Sequence, residues 1–322
     1  MSLFYILAGL VLLVVGGEFL VKSSVALSLK FNISRIVIGM TVVSFATSLP
    51  ELLVSLNAAL DGHPELALSN VVGSNIANLA LVLGATAILT PIIVKRISYR
   101  LNIPAMLILS ALLYWFLHND LILSFLEGLI LFAFLIIFII ILLKNASKSG
   151  DIDIDELEEI DDSTAQTKMI KVLLWLVIGG VALWYGADLL VLGATELALK
   201  LGISEGIIGV SLVAIGTSIP ELAASIISAL KKEKDLSFGN LVGSNIFNIG
   251  SVLGLTAMVK PIHITETKLI DVDILWMLGI SALIIPLAML PKRHKISWAK
   301  GLVYLSLYII FIYFFVFKTI QA

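Results

Sequence analysis

The sequence predicts an all-α membrane protein of ten transmembrane helices, built as two inverted five-helix repeats with broken helices around an ion site at the bilayer midplane. Three observations carry this prediction. First, the 322 residues are 59% hydrophobic and 14% charged, with a mean hydropathy of +1.08; a soluble domain of this length needs more charge to cover its surface. Second, the apolar residues come in runs of about 20, the length a helix needs to cross roughly 30 Å of hydrocarbon. Third, the second half of the chain repeats the first at a constant offset and keeps polar residues in the repeat.

The candidate helices follow in order. Residues 3–29 form the first; Met1 to Tyr5 show neither a basic leader nor a small-residue cleavage site, so this segment reads as a membrane helix and not a signal peptide. Residues 36–60 and 66–90 are apolar but interrupted by polar residues. Residues 102–118 and 121–143 complete the set, the last with a single charge, Glu127, expected at the interface. A polar stretch, 144–168, then carries eight acids between Asp151 and Asp162. Its run Asp151–Glu156 resembles the opening of a calcium loop but has Glu156 where the turn needs glycine, so it reads as a solvated linker. Five further candidates follow at 169–199, 206–230, 236–259, 270–290 and 299–318. The chain thus divides into a first repeat, 1–143, an acidic linker, 144–168, and a second repeat, 169–322.

Orientation follows from the basic residues. With the N-terminus outside, 17 of the 21 Lys and Arg fall in inner segments and four (Lys200, Lys260, Lys268 and Lys318) fall outside. Basic residues concentrate in cytoplasmic loops. Both termini are therefore expected outside and the linker in the cytoplasm, with the protein in a plasma or inner membrane. A net charge of −2 supplies no basic surface for nucleic acid, and the absence of cysteine excludes disulfides and thiolate metal sites. The lipid bilayer is the expected environment, and no obligatory protein partner is indicated.

Residues 36–91 align with 206–261 without a gap, and 25 of the 56 positions are identical. The offset of 170 pairs Glu51 with Glu221, Asn78 with Asn248 and Pro91 with Pro261. It also carries Glu18 onto Asp188, two acids expected to be hydrogen-bonded in the interior. Five helices is an odd number, so the second repeat must enter the membrane from the opposite side. Inverted repeats with a site at their interface are a transporter architecture. Packing alone preserves apolar character, not matched polar residues.

Each repeat places a polar stretch inside an apolar helix: Ser44 to Glu51, and Ala214 to Glu221. Pro50 and Pro220 lack an N–H and should free the carbonyls of Ala46 and Gly216. In lipid such carbonyls need a partner or a cavity to line. Ser44, Thr47, Ser48, Glu51 and Ser55 recur at helical spacing, as do Ala214, Thr217, Ser218, Glu221 and Ser225, so each helix offers one polar face. The following helix adds Ser74 and Asn78, or Ser244 and Asn248, four residues apart and so on one face. An ionised carboxylate at mid-membrane costs about 2.5–3.5 kcal/mol even on the lenient scale. A donor set of hard oxygens, without imidazole or thiolate, suits calcium, sodium or magnesium. Two carboxylates balance one divalent cation. No nucleophile–base pair and no metal-binding histidine motif appears, so no enzymatic chemistry and no cofactor are expected. Inverted repeats around a buried carboxylate pair favour alternating access over a channel.

The doubled stretch ending in Pro50–Glu51 and Pro220–Glu221, with the doubled Gly73–Ile76 and Gly243–Ile246, resembles the sodium/calcium exchanger family of cation/calcium antiporters. The resemblance covers the whole chain in helix number, repeat and linker. It implies four central helices around the ion sites and long first and sixth helices that slide to alternate access. It implies Glu51 and Glu221 as calcium ligands, aided by the carbonyls of Thr47 and Thr217. Ser44, Thr47 and Ser74 would line one flanking sodium site, and Ala214, Thr217 and Ser244 the other. Ser48 and Ser218 would complete the lining, and Asn78 and Asn248 would close the centre. The transported ions would be calcium and sodium. Some members of the family have aspartate at the position of Asn248; here both positions are neutral, which leaves two formal negatives and keeps protons open as the counter-ion.

Overall fold

The computed structural model describes residues 1–148, 166–201, 216–265, 267–290 and 294–321. These form helices α1 (Ser2–Phe31), α2 (Arg35–Leu60), α3 (Pro64–Leu89), α4 (Ser98–Asp120), α5 (Phe125–Lys148), α6 (Met169–Lys200), α7 (Ile219–Leu230), α8 (Lys234–Val259), α9 (Leu269–Met289) and α10 (Trp298–Gln321). Eight are long and apolar enough to cross a membrane; the apolar segments Ile219–Leu230 and Trp298–Phe314 are shorter. The chain is a multi-pass integral membrane protein. Most of the acidic linker, with its calcium-loop-like run, lies outside the described residues, as does the start of the expected helix at 206–230.

Burial sorts the helices into a core and a shell. In the most apolar stretches of α3 and α8, 78% and 83% of residues are buried, against 28% in α5 and α6. The shell exposes large apolar side chains such as Leu3, Ile137, Val177, Trp184 and Ile309, which suits a surface solvated by lipid. Its helices pack closely through glycine. A Cβ on Gly9 would stand 2.7 Å from the Gly186 carbonyl oxygen, and one on Gly16 would stand 2.8 Å from the Leu183 nitrogen. Small residues let helix backbones approach where no hydrophobic drive separates protein from lipid.

Contacts between the halves come in reciprocal pairs. Gly9 meets Gly186 and Gly16 meets Gly179, which is the same contact with the halves exchanged. Gly84 packs on Gly301 and Gly128 on Gly254. Two-residue strands repeat the pattern: β1 (Ile92–Ile93) pairs antiparallel with β4 (Lys295–Ile296), and β2 (Ile122–Leu123) with β3 (Ile262–His263). These strands were not anticipated, and β2 explains why α5 starts later than residue 121. The Arg35 guanidinium, at the start of α2, lies 2.6 Å from the Glu233 carboxylate, just past the end of α7. Thus α2 begins where its repeat counterpart α7 ends. Lys95 pairs with Asp235 at 2.6 Å at this same end of the bundle. At the other end the Lys200 ammonium donates to the Ser2 hydroxyl at 3.0 Å, and the Thr265 N–H donates to the Glu65 carboxylate.

The expectations for α2, Glu18 and Asp188 change. The helix α2 runs unbroken through Pro50; its irregularity is instead a π-helical turn at Gly39–Val43. A proline removes one N–H, but neighbouring bonds carry the helix across it where tertiary packing holds both sides. Glu18 is not an interior acid: its side chain is 57% exposed and lies 3.2 Å from the Lys231 ammonium. Asp188 is likewise exposed. Glu127 caps α5, accepting from the Ser124 N–H and hydroxyl at 2.8 Å each, a reciprocal capping arrangement that holds the carboxylate at the helix end.

Candidate ion-binding site

The polar faces of α2, α3, α7 and α8 meet in the core. On α2, Ser44, Thr47, Ser48, Glu51 and Ser55 are all buried, as the spacing predicts for one face. In the second half Gly216 precedes a turn at Thr217 and Ser218, Ser218 stands at the N-cap of α7, and Glu221 lies in its first turn. The interruption expected in this helix is therefore present at Thr217–Ser218, where its counterpart in α2 is continuous. Ser218, Glu221 and Ser225 are buried and Thr217 is half-buried. Ala214 lies outside the described residues. From α3 and α8, Ser74, Asn75, Asn78, Ser244, Asn245 and Asn248 are all buried.

Each half completes the other. The Ser74 and Thr217 hydroxyls are 3.0 Å apart, and those of Thr47 and Ser244 are 3.3 Å apart. Positions 47 and 217, and 74 and 244, are repeat counterparts, so the two bonds exchange the halves. The Thr47 hydroxyl also donates to Asn240 Oδ1 at 3.2 Å. Asn240 in turn donates to Ser225 at 3.3 Å, matched by Asn70 donating to Ser55 at 3.1 Å. Asn70 and Asn240 were absent from the sequence expectation. Their signal was the repeat itself, which keeps asparagine at both positions. Ser44 is buried but turned away from this lining: its hydroxyl donates to the carbonyls of Gly39, at 2.8 Å, and Asn240, at 3.0 Å.

Among the described residues, the centre is a set of oxygens with no hydrogen-bond partner. Glu51 and Glu221 are fully buried, and all four of their carboxyl oxygens are unpartnered. The two carboxyl groups lie beside each other. The Oγ atoms of Ser48 and Ser218 and the Oδ1 atoms of Asn78 and Asn248 are unpartnered as well. This makes eight oxygens in repeat-related pairs. Thr86 and Thr256 also bury unpaired hydroxyls, but these are neutral. A buried polar atom without a partner costs about 1–3 kcal/mol, and more when charged. A hard cation removes that cost, and calcium accepts roughly 6–8 oxygens in flexible geometry. The donor set therefore fits calcium, and two carboxylates neutralise it.

The chain matches the family described as sodium/calcium exchanger protein over residues 1–144 and 171–317. It is 35% identical over 305 residues to the putative antiporter CaxA of Alkalimonas amylolytica, covering 95% of each chain. It is 29% identical over 348 residues to the sodium/calcium exchanger MaX1 of Methanosarcina acetivorans, covering 95% of this chain and 96% of that one. Among solved structures it is similar to the sodium-calcium exchanger NCX_Mj soaked with 2.5 mM Na+ and 0.1 mM Ca2+, with a TM-score of 0.81, 33% identity and 97% of each chain covered. A match that spans both repeats, joined to a paired-carboxylate centre built from both, places this chain in the sodium/calcium exchanger family.

Proposed function

We propose that this protein is a secondary antiporter that exchanges calcium for sodium by alternating access, with ten transmembrane helices in two inverted repeats of five. The observation that carries the reading is the set of eight unpartnered oxygens around Glu51 and Glu221. Calcium binds between the two carboxylates, with Ser48, Ser218, Asn78 and Asn248 around it. Thr47, Ser74 and the Ser44 carbonyl line one flanking sodium site. Thr217, Ser244 and the Ala214 carbonyl line the other. Empty carboxylates in a low-dielectric core are costly, so the site crosses the membrane with one ion type or the other bound. That coupling makes the protein an exchanger. Inversion is supported by the Arg35–Glu233 pair, which brings the start of α2 to the end of α7. Both termini lie outside and the acidic linker lies in the cytoplasm.

Proton coupling is the second reading. It is favoured by one feature, the neutral Asn78 and Asn248, which leave two carboxylates whose charge two protons can cancel. The test is calcium-45 uptake into sodium-loaded proteoliposomes at clamped pH. Wild type should accumulate calcium only with an outward sodium gradient, and Glu51→Gln should fall to the level of empty liposomes. Uptake that ignores sodium and follows a pH gradient selects proton coupling. Undiminished uptake by Glu51→Gln removes the carboxylate from the site.

A further inference from the structure

Four asparagines bond across the interface between α3 and α8 in a ring closed between Asn75 and Asn245 through their backbone carbonyls, with Asn248 and Asn78 attached to the side-chain oxygens of Asn75 and Asn245. Asn75 Nδ2 donates to the Asn245 backbone carbonyl at 3.3 Å, and Asn245 Nδ2 donates to the Asn75 carbonyl at 3.2 Å. Asn248 Nδ2 donates to Asn75 Oδ1, and Asn78 Nδ2 donates to Asn245 Oδ1, both at 3.1 Å. All four residues are at most 1% exposed.

The directions of these bonds are forced. A backbone carbonyl can only accept, so the amide edge of Asn75 that faces it must be the NH2 edge. That leaves Asn75 Oδ1 facing Asn248, and an oxygen can only accept, so Asn248 must present its NH2 there. The Asn248 Oδ1 is then left on the other edge, and it is one of the unpartnered oxygens of the centre. The same sequence of steps runs from the Asn75 carbonyl through Asn245 to Asn78 Oδ1. An amide in the opposite sense would turn two N–H groups toward a cation. We infer that Asn75 and Asn245 are positioning residues that hold the amides of Asn78 and Asn248 with their oxygens toward the ion, and so make two neutral side chains into cation ligands. The inference rests on the calcium reading above.

The test is a double-mutant cycle on calcium-45 binding to the purified full-length protein. Asn245→Ala frees the Asn78 amide to rotate, and calcium affinity should fall roughly 10- to 100-fold, the range seen when the groups orienting metal ligands are lost. In the Asn78→Asp background both edges are oxygen, so orientation no longer matters. There Asn245→Ala should change affinity less than about threefold, well below the range expected for the single change. A packing defect would cost the same in both backgrounds. Equal losses in the two backgrounds, or no loss from Asn245→Ala alone, overturn the inference. The repeat-related set, Asn75→Ala with and without Asn248→Asp, runs the same cycle independently. If neither alanine variant folds, the ring serves the fold and not the ligands, and the inference also fails. Absence of calcium binding by wild type would instead sink the calcium reading, so the two failures are distinct.

Discussion

The hydroxyl of Ser44 marks the difference between a polar residue near an ion site and one facing it. It is fully buried, yet it is bonded to the carbonyls of Gly39 and Asn240. Its counterpart in the repeat is Ala214, which has no hydroxyl. Ser44→Ala should therefore cost about 0.5–1.5 kcal/mol of stability, the usual net value of such a bond. It should leave the calcium and sodium dependence of uptake unchanged, because only a backbone carbonyl at this position is expected to reach an ion. Thermal unfolding and uptake kinetics check the two halves of that statement; a weakened ion dependence would return the hydroxyl to the ligand set. Glu51, Glu221 and their hydroxyl neighbours were legible in the sequence because a charge in an apolar run is costly and the repeat shows it twice. Asn70 and Asn240 were not, although the repeat keeps them as well. Their partners sit on other helices, and the rotation of one helix against another is not written in either helix's spacing.

Helices were legible to within about five residues, and their contacts were not. The expected segments 36–60 and 236–259 became Arg35–Leu60 and Lys234–Val259, since the length of an apolar run is a direct reading of helix length. Glycine positions were harder. Gly39, Gly84 and Gly254 sit against neighbouring backbone, whereas Gly73 has open space among the described residues. The contact between α1 and α6 is the most exacting case. Gly16 has the Leu183 nitrogen at 2.8 Å from where a Cβ would stand, and backbone cannot give way as a flexible side chain can. Gly180, on the same helix as Leu183, has nothing within 4 Å. Gly16→Ala should destabilise the protein by about 1–3 kcal/mol, the cost of overpacking. Gly180→Ala should be neutral or stabilising by up to about 1 kcal/mol from helix propensity. Thermal unfolding of the two variants in one detergent decides it. Equal behaviour would mean that α1 and α6 are not held at this distance.

At the scale of the whole molecule the repeat makes a statement that no single helix can. Asp61 ends α2 and Lys231 ends α7, and the offset of 170 makes them counterparts. In a parallel duplication both would emerge on one side of the membrane. In an inverted one they emerge on opposite sides. Two contacts support the proposed inversion. Arg35 and Glu233 meet at one end of the bundle, where α7 finishes, while Glu65, just past the end of α2, meets Thr265 at the other. In the proposed topology that end faces the cytoplasm, because Arg35, Lys95 and the Lys231, Lys232 and Lys234 cluster fall together there. The chain has no cysteine, so a single introduced thiol reports its own side without background. Asp61 and Lys231 are both exposed and lie outside the unpartnered centre. In intact cells a membrane-impermeant maleimide should label Asp61→Cys and spare Lys231→Cys; after permeabilisation both should react. Labelling of both in intact cells would make the halves parallel. Such a result would remove the symmetry that brings Glu51 and Glu221 to one site from opposite faces of the membrane. The reverse pattern would keep the inversion and turn the protein over, which would put the acidic linker outside and show that some other feature outweighs 17 inner basic residues.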